Sequence, residues 1–258
     1  MAEMSDRVGI VTGAARGLGR ECALLFAREG AKVLVADLNT EGGEETVRMI
    51  KDAGGEARFV RTDVSKAPDV EAMVEAALAN YGRLDSAINN AMIPPPFKPL
   101  AEFTEDEWDR TMSVNLKGVF LCMKYEIQAM LKQGSGAIVN IGSGNEHAAA
   151  PGIAPYAAAK RGLLGLMAVA AIDYGDKNIR INAVGPGTMV TPAMQQALND
   201  NPKHKEFLES LSPMKRYSHP REVAEAAIWL CSDKASFVHG HCLVADGGAC
   251  AGKLIKPA

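Results

Sequence analysis

The chain of 258 residues is 47% hydrophobic and 23% charged, which is ordinary for a globular protein and sufficient for a substantial core. A net charge of −3 gives no basic field for nucleic acid or anionic lipid, so we expect neither as a partner. The five cysteines are scattered, and neither they nor the histidines show metal-ligand spacing, so we expect no metal and a reducing, cytoplasmic location. We also expect no signal peptide or membrane span.

The first half of the chain alternates short apolar runs with amphipathic segments that end at glycines. This pattern predicts strands at 8–12, 32–36, 59–64 and 84–89, and helices at 17–30, 41–53 and 70–81. The prolines at 94–96 must lie in a loop.

The second half continues the alternation. It predicts helices at 105–131, at 220–230 and around Tyr156 as far as 174, and strands at 137–141, 179–184 and 242–245. We expect the stretch 188–217 to form short helices that cover a substrate. Repeated βαβ units predict an α/β fold: residues 1–258 as one Rossmann-type domain, with a doubly wound parallel sheet of about seven strands and helices on both faces.

A glycine-rich turn lies between the first predicted strand and helix. It contains Thr12, Gly13, Ala14, Ala15, Arg16, Gly17, Leu18 and Gly19. Glycines permit a tight turn and close approach of backbone N–H groups to a diphosphate at the helix N-terminus. Although the spacing is G-x-x-x-G-x-G rather than G-x-G-x-x-G, the context predicts dinucleotide binding.

Carboxylates follow the next two strands. Asp37 can accept hydrogen bonds from the adenosine ribose and would repel a 2′-phosphate, which favours NAD over NADP; it can also cap the next helix. Arg16 would favour NADP, but Leu38 supplies no second cation, so we predict NAD. Asp63 and Val64 lie at the same sheet edge, where Asp63 is either near the adenine or only a turn residue.

Tyr156 and Lys160 are four residues apart and therefore share one helix face. A cation beside a phenol favours the phenolate, so we expect a lowered pKa for Tyr156 and proton exchange with an alcohol or carbonyl oxygen. Taken alone, the pair is weak evidence, and a solvated helix face is the alternative.

From about residue 7 to 250 the chain resembles the short-chain dehydrogenase/reductase family. The motifs that carry the resemblance occur in the family's order: Thr12-Gly13-x-x-x-Gly17-x-Gly19, Asp63-Val64, Asn89-Asn90-Ala91, Asn115, Ser143, Tyr156-x-x-x-Lys160, Asn182-x-x-x-Pro186-Gly187 and Asp246-Gly247-Gly248. Two positions depart from the family pattern, since Met92 replaces a common glycine and Gly142 a frequent serine. Neither change removes a reacting group, and Met92 is expected to reshape a cleft wall.

The resemblance implies a role for four catalytic residues. Tyr156 is the general acid/base, and Lys160 lowers its pKa and binds the nicotinamide ribose. Ser143 donates to the substrate oxygen, and Asn115 holds a water that links Lys160 to solvent. Turn and helix-interior positions are the alternatives for Ser143 and Asn115.

The resemblance also implies further cofactor contacts. Asn90 touches the cofactor, and the segment that begins with Pro186 and Gly187 holds the carboxamide through the Met189 backbone and the Thr191 hydroxyl. Two other groups remain open. Glu146 and His147 could touch substrate but fit a surface loop better, and Met189, Met194 and Met214 either line an apolar lid or pack in the core.

The expected function is hydride transfer between NAD and a neutral, fairly hydrophobic secondary alcohol or its ketone. Residues 89–96 and 120–130 are similar to family members that act on alicyclic diols and related alcohols. The alternatives are an NADP-dependent 3-oxoacyl reductase, which Asp37 argues against, and a non-catalytic dinucleotide-binding protein. Family members commonly form tetramers through their long helices, and the apolar faces at 119–130 and 163–172 suit a homotetramer.

Overall fold

The computed structural model describes residues 4–94, 96–144, 150–190 and 198–252. In these ranges the strands form one parallel sheet of seven in the order β3-β2-β1-β4-β5-β6-β7. The strands are β1 Val8–Thr12, β2 Lys32–Asp37, β3 Glu56–Arg61, β4 Ser86–Asn89, β5 Gly136–Ile141, β6 Ile179–Pro186 and β7 Cys242–Ala245. The predicted Rossmann-type sheet is confirmed.

Helices cover both faces of this sheet. They are α1 Gly17–Arg28, α2 Thr40–Asp52, α3 Ala67–Tyr81, α4 Glu105–Met112, α5 Gly118–Gln133, α6 Ala154–Tyr174, α7 Pro202–Ser210 and α8 Pro220–Cys231, with short 3₁₀ turns at Leu100–Glu102, Gly175–Lys177 and Asp233–Ala235. Residues of α1, α2 and α8 form the core on one face, and residues of α3, α5 and α6 form it on the other. Strands covered on both sides read as continuous apolar runs, as in β1, whose five residues are all buried.

The strand order reverses beside β1, which pairs with β2 on one side and with β4 on the other. In an open parallel sheet this switch point opens a crevice at the carboxyl ends of the strands, where ligands bind. The turn after β1 and the chain after β4 meet at this crevice. The glycine-rich turn is therefore placed where a dinucleotide is expected.

Two predicted elements differ from the structure. The third strand occupies Glu56–Arg61 rather than 59–64, because as an edge strand it carries exposed polar residues that hide the apolar signal. The helix predicted at 105–131 is interrupted by a π-helical turn at Ser113–Lys117, which separates α4 from α5. The apolar pattern continues through this turn, so the sequence gives no sign of the interruption.

The described residues contain no helix that is both long and apolar enough to cross a membrane. In the same part of the chain, no group of three or more His, Cys, Asp or Glu side chains is arranged to hold a metal ion. The five cysteines form no disulfide with one another within the described residues.

Candidate active site

The turn between β1 and α1 depends on its glycines. Gly13 and Gly17 have φ of +66° and +57°, in the left-handed region that side chains disfavour. A Cβ on Gly19 would lie 2.2 Å from the Gly13 carbonyl oxygen, so the turn closes only without one. Leu18 is buried and anchors the first turn of α1 in the core. The turn is therefore a compact backbone cradle of the kind that approaches a diphosphate.

The N-terminus of α1 is suited to an anion. Arg16 is its N-cap, in extended conformation with φ of −164°, and within the described structure no side chain caps the helix there. The first N–H groups of such a helix lack intrahelical partners and attract negative charge. The Arg16 side chain is exposed beside them.

Thr12 and Asn90 lock the turn against the end of β4. The Thr12 hydroxyl oxygen accepts hydrogen bonds from the backbone N–H groups of Asn90 (3.0 Å) and Ala91 (3.1 Å). In return, the Asn90 side-chain amide donates to the carbonyl oxygens of Thr12 (2.9 Å) and Gly13 (3.1 Å). The Asn90 side chain thus fixes the conformation of the glycine turn, in addition to any contact with a cofactor.

Asp37 is fixed at the carboxyl end of β2. Its two oxygens accept hydrogen bonds from the backbone N–H groups of Ala15 and Asn39, each at 2.9 Å. The cap of α2 is Asn39, whose side chain accepts from Gly42, so the alternative role of Asp37 as the helix cap is wrong. Leu38 is 51% exposed next to it and brings no positive charge.

Asp63 and Val64 lie just beyond β3. The Asp63 carboxylate accepts hydrogen bonds from the Ser65 hydroxyl (2.6 Å) and N–H (3.1 Å), and Lys66 lies 3.5 Å away. Partial burial raises the pKa of Asp63, but the Ser65 and Lys66 contacts outweigh it and lower the pKa overall. These contacts hold Asp63 in the turn that follows β3, while Val64 is buried and packs against Gly118.

Lys160 connects α6 to the end of β5. The Lys160 side chain is 2% exposed, and its Nζ donates to the Ile141 carbonyl oxygen at 2.5 Å. The same Nζ lies 5.7 Å from the centre of the Tyr156 ring, which is half-buried in the first turn of α6. Burying an ammonium is costly unless the ammonium is hydrogen-bonded or paired with an opposite charge. The alternative of a solvated helix face is therefore wrong for this pair.

Ser143 lies two residues beyond β5, on the strand end to which Lys160 is bonded. It is 7% exposed, so its hydroxyl is largely sheltered from water. The bond from Lys160 to Ile141 brings α6, with Tyr156, to the strand end that carries Ser143. A serine hydroxyl, a phenol and an ammonium thus belong to one sheet edge.

Asn115 occupies the π-helical turn and is fully buried. Its side-chain oxygen accepts from the Ile93 N–H, and its side-chain nitrogen donates to the Ile93 carbonyl oxygen, each at 2.9 Å. The side chain therefore holds the chain that follows β4. Single π-helical turns are frequent at functional sites because they redirect the backbone locally.

The segment after β6 borders a cavity of about 350 Å³. Pro186 ends β6, and a Cβ on Gly187 would lie 2.7 Å from the Asp246 Cα, so the chain passes close to the turn after β7. Met189 is partly buried against the core, and Met214 lines the cavity. Partial burial raises the pKa of Asp246, but hydrogen bonds from the Cys250 thiol and from N–H groups of this turn outweigh it and lower the pKa overall.

Four candidate residues lie outside the described residues: Glu146, His147, Thr191 and Met194. Their roles remain predictions from the sequence.

A family model described as Enoyl-(Acyl carrier protein) reductase matches residues 13–250. The chain belongs to the short-chain dehydrogenase/reductase family. As a family member it is an oxidoreductase of the secondary-alcohol dehydrogenase type, acting on the CH–OH group of its donor with a nicotinamide dinucleotide. The glycine cradle, which a Cβ at Gly13 or Gly19 would fill, and the uncapped start of α1 fit such a cofactor.

Relatives of this short-chain dehydrogenase match it over nearly their whole length. It is 44% identical over 249 residues to a 2,5-dichloro-2,5-cyclohexadiene-1,4-diol dehydrogenase of Sphingobium indicum, covering 96% of this chain and 98% of the relative. It is 40% identical over 248 residues to a cyclopentanol dehydrogenase of Comamonas testosteroni, covering 96% and 98%. The crystal structure of levodione reductase matches it with a TM-score of 0.92 and 38% identity, covering 97% of this chain and 100% of that one.

The sequence reasoning missed a polar cluster beneath the site of this short-chain dehydrogenase. Asn89, Glu126 and Asn140 are all buried on the α5 face of the sheet and are hydrogen-bonded together. One signal was available: Glu126 lies four residues after Cys122 and four before Met130, on the apolar stripe of α5.

Proposed function

We propose that the protein is an NAD-dependent dehydrogenase that reversibly oxidises a neutral, hydrophobic cyclic secondary alcohol to its ketone. The observation that carries this proposal is the buried Lys160 ammonium, which is bonded to the end of β5 and lies beside the Tyr156 ring. A cation held there favours the phenolate, which is the form that removes a proton from an alcohol.

The protein's own residues supply proton transfer and orientation. Tyr156 takes the hydroxyl proton of the alcohol, and the Ser143 hydroxyl donates a hydrogen bond to the same oxygen as its negative charge develops. Lys160 stabilises the phenolate and binds the nicotinamide ribose. When bound, the oxidised nicotinamide supplies the acceptor for the hydride that leaves the carbinol carbon. Asn115 keeps the π-helical turn and Ile93 in place and holds the water through which the proton reaches solvent.

The remaining contacts of the cofactor follow the sheet edge. Gly13, Gly17 and Gly19 would hold the diphosphate, and Asp63 with Val64 would border the adenine. Asn90 supports the cofactor from the end of β4. The segment from Pro186 through Thr191 binds the carboxamide.

The preference for NAD rests on Asp37. Its carboxylate is held in place by two backbone N–H groups and keeps lone pairs for the ribose hydroxyls. A 2′-phosphate would be repelled by this charge. Arg16 is the one cation in the glycine turn that could neutralise the phosphate. Titration of the purified protein with both cofactors, followed by fluorescence, tests the preference; tighter binding of NADP would contradict it.

Cyclic alcohols are favoured by the names of three relatives, which describe a cyclohexadiene diol, cyclopentanol and cis-4-hydroxycyclohexanecarboxylate as substrates of those proteins. In this chain, the loop after β4 carries Met92 and Phe97, which are 42% and 76% exposed and offer apolar surface beside the crevice. An apolar wall and the absence of a basic patch in the sequence suit a neutral ring.

Turnover tests the proposal directly. We expect NAD reduction with cyclic secondary alcohols, and NADH oxidation with the matching ketones, in a panel that also contains linear and charged alcohols. Tyr156→Phe keeps the ring but removes the hydroxyl, so we expect kcat to fall by about 10²–10⁴-fold while NAD still binds. No turnover with any alcohol, or an unchanged kcat in Tyr156→Phe, would contradict the proposal.

The second candidate is an NADP-dependent 3-oxoacyl reductase. The matching family model is described as an Enoyl-(Acyl carrier protein) reductase, which points to an acyl substrate but names reduction of a C=C bond rather than of a 3-oxo group. NADPH oxidation with a 3-oxoacyl thioester, in the absence of activity on cyclic alcohols, would select this candidate. NAD binding without turnover on either substrate class would instead select the non-catalytic dinucleotide-binding protein.

We also propose a cytoplasmic homotetramer assembled through its long helices. A largely apolar groove of about 690 Å³ runs between α5 and α6, lined in part by Leu116, Phe120 and Leu166. Ile172 on α6 is 83% exposed, which is unusual for an isoleucine unless a partner covers it. Light scattering of the full chain tests this assembly, and a monomer mass would refute it.

A further inference from the structure

Glu126 is fully buried and faces the sheet from α5. Its Oε2 accepts a hydrogen bond from the Asn89 side-chain nitrogen at 3.0 Å, and that nitrogen also donates to the Asn140 side-chain oxygen at 3.0 Å. The Asn140 side-chain nitrogen in turn lies 3.4 Å from the Met123 sulfur. The cluster therefore joins α5 to the carboxyl ends of β4 and β5.

Two atoms of this cluster have no hydrogen-bond partner. They are Glu126 Oε1 and Asn89 Oδ1, both fully buried within the described part of the chain. They belong to the two side chains that already share one hydrogen bond. If Glu126 were ionised, both atoms would be buried acceptors without a donor, which is costly in a low-dielectric interior.

A single proton on Glu126 would give both of these oxygens a hydrogen bond. A carboxylic acid has one O–H donor, and an amide has one acceptor oxygen next to its N–H donor. When Glu126 is protonated on Oε1, this O–H can donate to Asn89 Oδ1 while the Asn89 N–H continues to donate to Glu126 Oε2. The acid and the amide then form a cyclic pair with two hydrogen bonds.

The surrounding charges do not stabilise an ionised Glu126. Burial raises the pKa of Glu126 from 4.5 to about 7, and the Asn89 hydrogen bond only partly opposes this. The neighbouring thiols of Cys122 on α5 and Cys231 on α8 are also buried, and burial raises both of their pKa values, so neither gains charge at neutral pH. The buried ammonium of Lys160 donates to the Ile141 carbonyl and lies beside the Tyr156 ring.

The amino end of β4 offers no free cation either. There Arg83 is paired with Asp85, with Nη2 and Oδ1 2.6 Å apart. Asp85 in addition accepts from the Val8 N–H. The charge of Arg83 is therefore already neutralised by the Asp85 carboxylate.

We propose that Glu126 keeps its proton in the folded protein, donates it to Asn89 Oδ1, and through this neutral pair positions the strand ends that carry the active site. Asn89 precedes Asn90, which holds the glycine turn, and Asn140 precedes Ile141, which accepts from Lys160. Ionisation of Glu126 would place a charge under both. Glu126 is thus a positioning residue, and its effect on turnover rests on the proposed dehydrogenase function.

The direction of the pH dependence follows from proton binding. Because the folded state raises the pKa, it binds more protons than the unfolded state between pH 4.5 and about 7. The contribution of the pair to stability is complete below pH 4.5 and is lost as the pH rises through about 7. The shift corresponds to a roughly 300-fold higher proton affinity in the folded protein.

Infrared difference spectroscopy of the cofactor-free protein tests the proton without any need for turnover. Glu126→Gln retains the size of the side chain and mimics the protonated acid, because its amide can donate to Asn89 Oδ1. We expect the wild type, but not Glu126→Gln, to show the C=O stretch of a buried carboxylic acid at about pH 6 and to lose it as the pH rises. Glu75→Gln, at an exposed site on α3, is the matched control and should leave this band unchanged.

A band absent from the wild type at about pH 6, or retained in Glu126→Gln, would overturn the proposal even if the protein is an active dehydrogenase. Conversely, the band would persist if the protein had no turnover. The two proposals therefore fail separately.

Activity provides the second test. As Glu126 ionises in the wild type, we expect the ratio of kcat/KM in Glu126→Gln to kcat/KM in the wild type to rise between about pH 5 and about pH 9. Glu126→Leu leaves the Asn89 amide without its partner on α5, so we expect lower activity and stability at every pH, which the Gln variant rescues. A ratio that is constant with pH, or equal behaviour of the Gln and Leu variants, would show that Glu126 only fills space.

Discussion

Gly19→Ala tests whether the glycine turn is as closely packed as the structure indicates. The added Cβ would lie 2.2 Å from the Gly13 carbonyl oxygen and 2.6 Å from the Asn90 side-chain nitrogen. Real Cβ atoms essentially never approach other heavy atoms within 3.0 Å, so the turn must open by at least 0.8 Å. This movement also separates Asn90 from the Gly13 carbonyl, to which it donates at 3.1 Å.

The cost can be worked from these contacts. Forcing extra volume into a packed site costs about 1–3 kcal/mol, and the strained hydrogen bond adds about 1 kcal/mol. If this strain is relieved by opening the turn, closing it again around the diphosphate must supply roughly 2–4 kcal/mol. We therefore expect the Kd for NAD to rise by about 30-fold to about 1,000-fold.

Fluorescence titration with NAD, together with urea unfolding of the free protein, measures both parts of this cost. Gly54→Ala is the control, because Gly54 also has a positive φ of +84° but has no atom within 4 Å of its added Cβ. We expect Gly54→Ala to lose about 1–2 kcal/mol of stability and to retain the Kd. Wild-type affinity and stability in Gly19→Ala would refute the reasoning.

Three further outcomes are expected. Thr12→Val keeps the shape of the side chain but leaves the N–H groups of Asn90 and Ala91 without their acceptor. Urea unfolding should therefore show that the free energy of unfolding falls by roughly 2–4 kcal/mol. Thr12→Ser keeps the hydroxyl and is the control; a smaller loss in Thr12→Val than in Thr12→Ser would contradict the role given to these hydrogen bonds. Asp37→Ala removes the charge that repels a 2′-phosphate, so the ratio of the Kd values for NADP and NAD should fall at least tenfold in the titration; an unchanged ratio would assign the preference to another residue. Finally, urea unfolding across pH should show that the wild type loses about 3 kcal/mol relative to Glu126→Gln between pH 4.5 and about 7; parallel curves would mean that Glu126 is already ionised.

The fold and the proximity of Lys160 to Tyr156 could be predicted because their signals are local. The glycine spacing, the apolar run of β1 and the four-residue interval from Tyr156 to Lys160 each occupy a short window of sequence. The structure adds how these short stretches contact one another in the fold. It shows in particular that Lys160 is fixed to the Ile141 carbonyl, which no periodicity reveals.

The features that escaped prediction depend on tertiary contacts. The π-helical turn at Ser113–Lys117 is set by the bonds of Asn115 to Ile93, a residue of a distant loop. The Asp63 carboxylate is held by Ser65 and Lys66 because β3 ends at Arg61, earlier than the apolar pattern indicated. Glu126 lies within the helix predicted at 105–131, but its partners Asn89 and Asn140 lie on two strands.

The lock between Thr12 and Asn90 has a consequence for the order of folding. The two residues are 78 positions apart, and three helices and three strands lie between them in the chain. Such contacts of high sequence separation form late, since the closure of a long loop must precede them. The glycine turn can close only after β4 has docked on β1, so nucleotide affinity should emerge with the completed sheet. The time at which NAD binding appears during refolding would then report when β4 docks on β1.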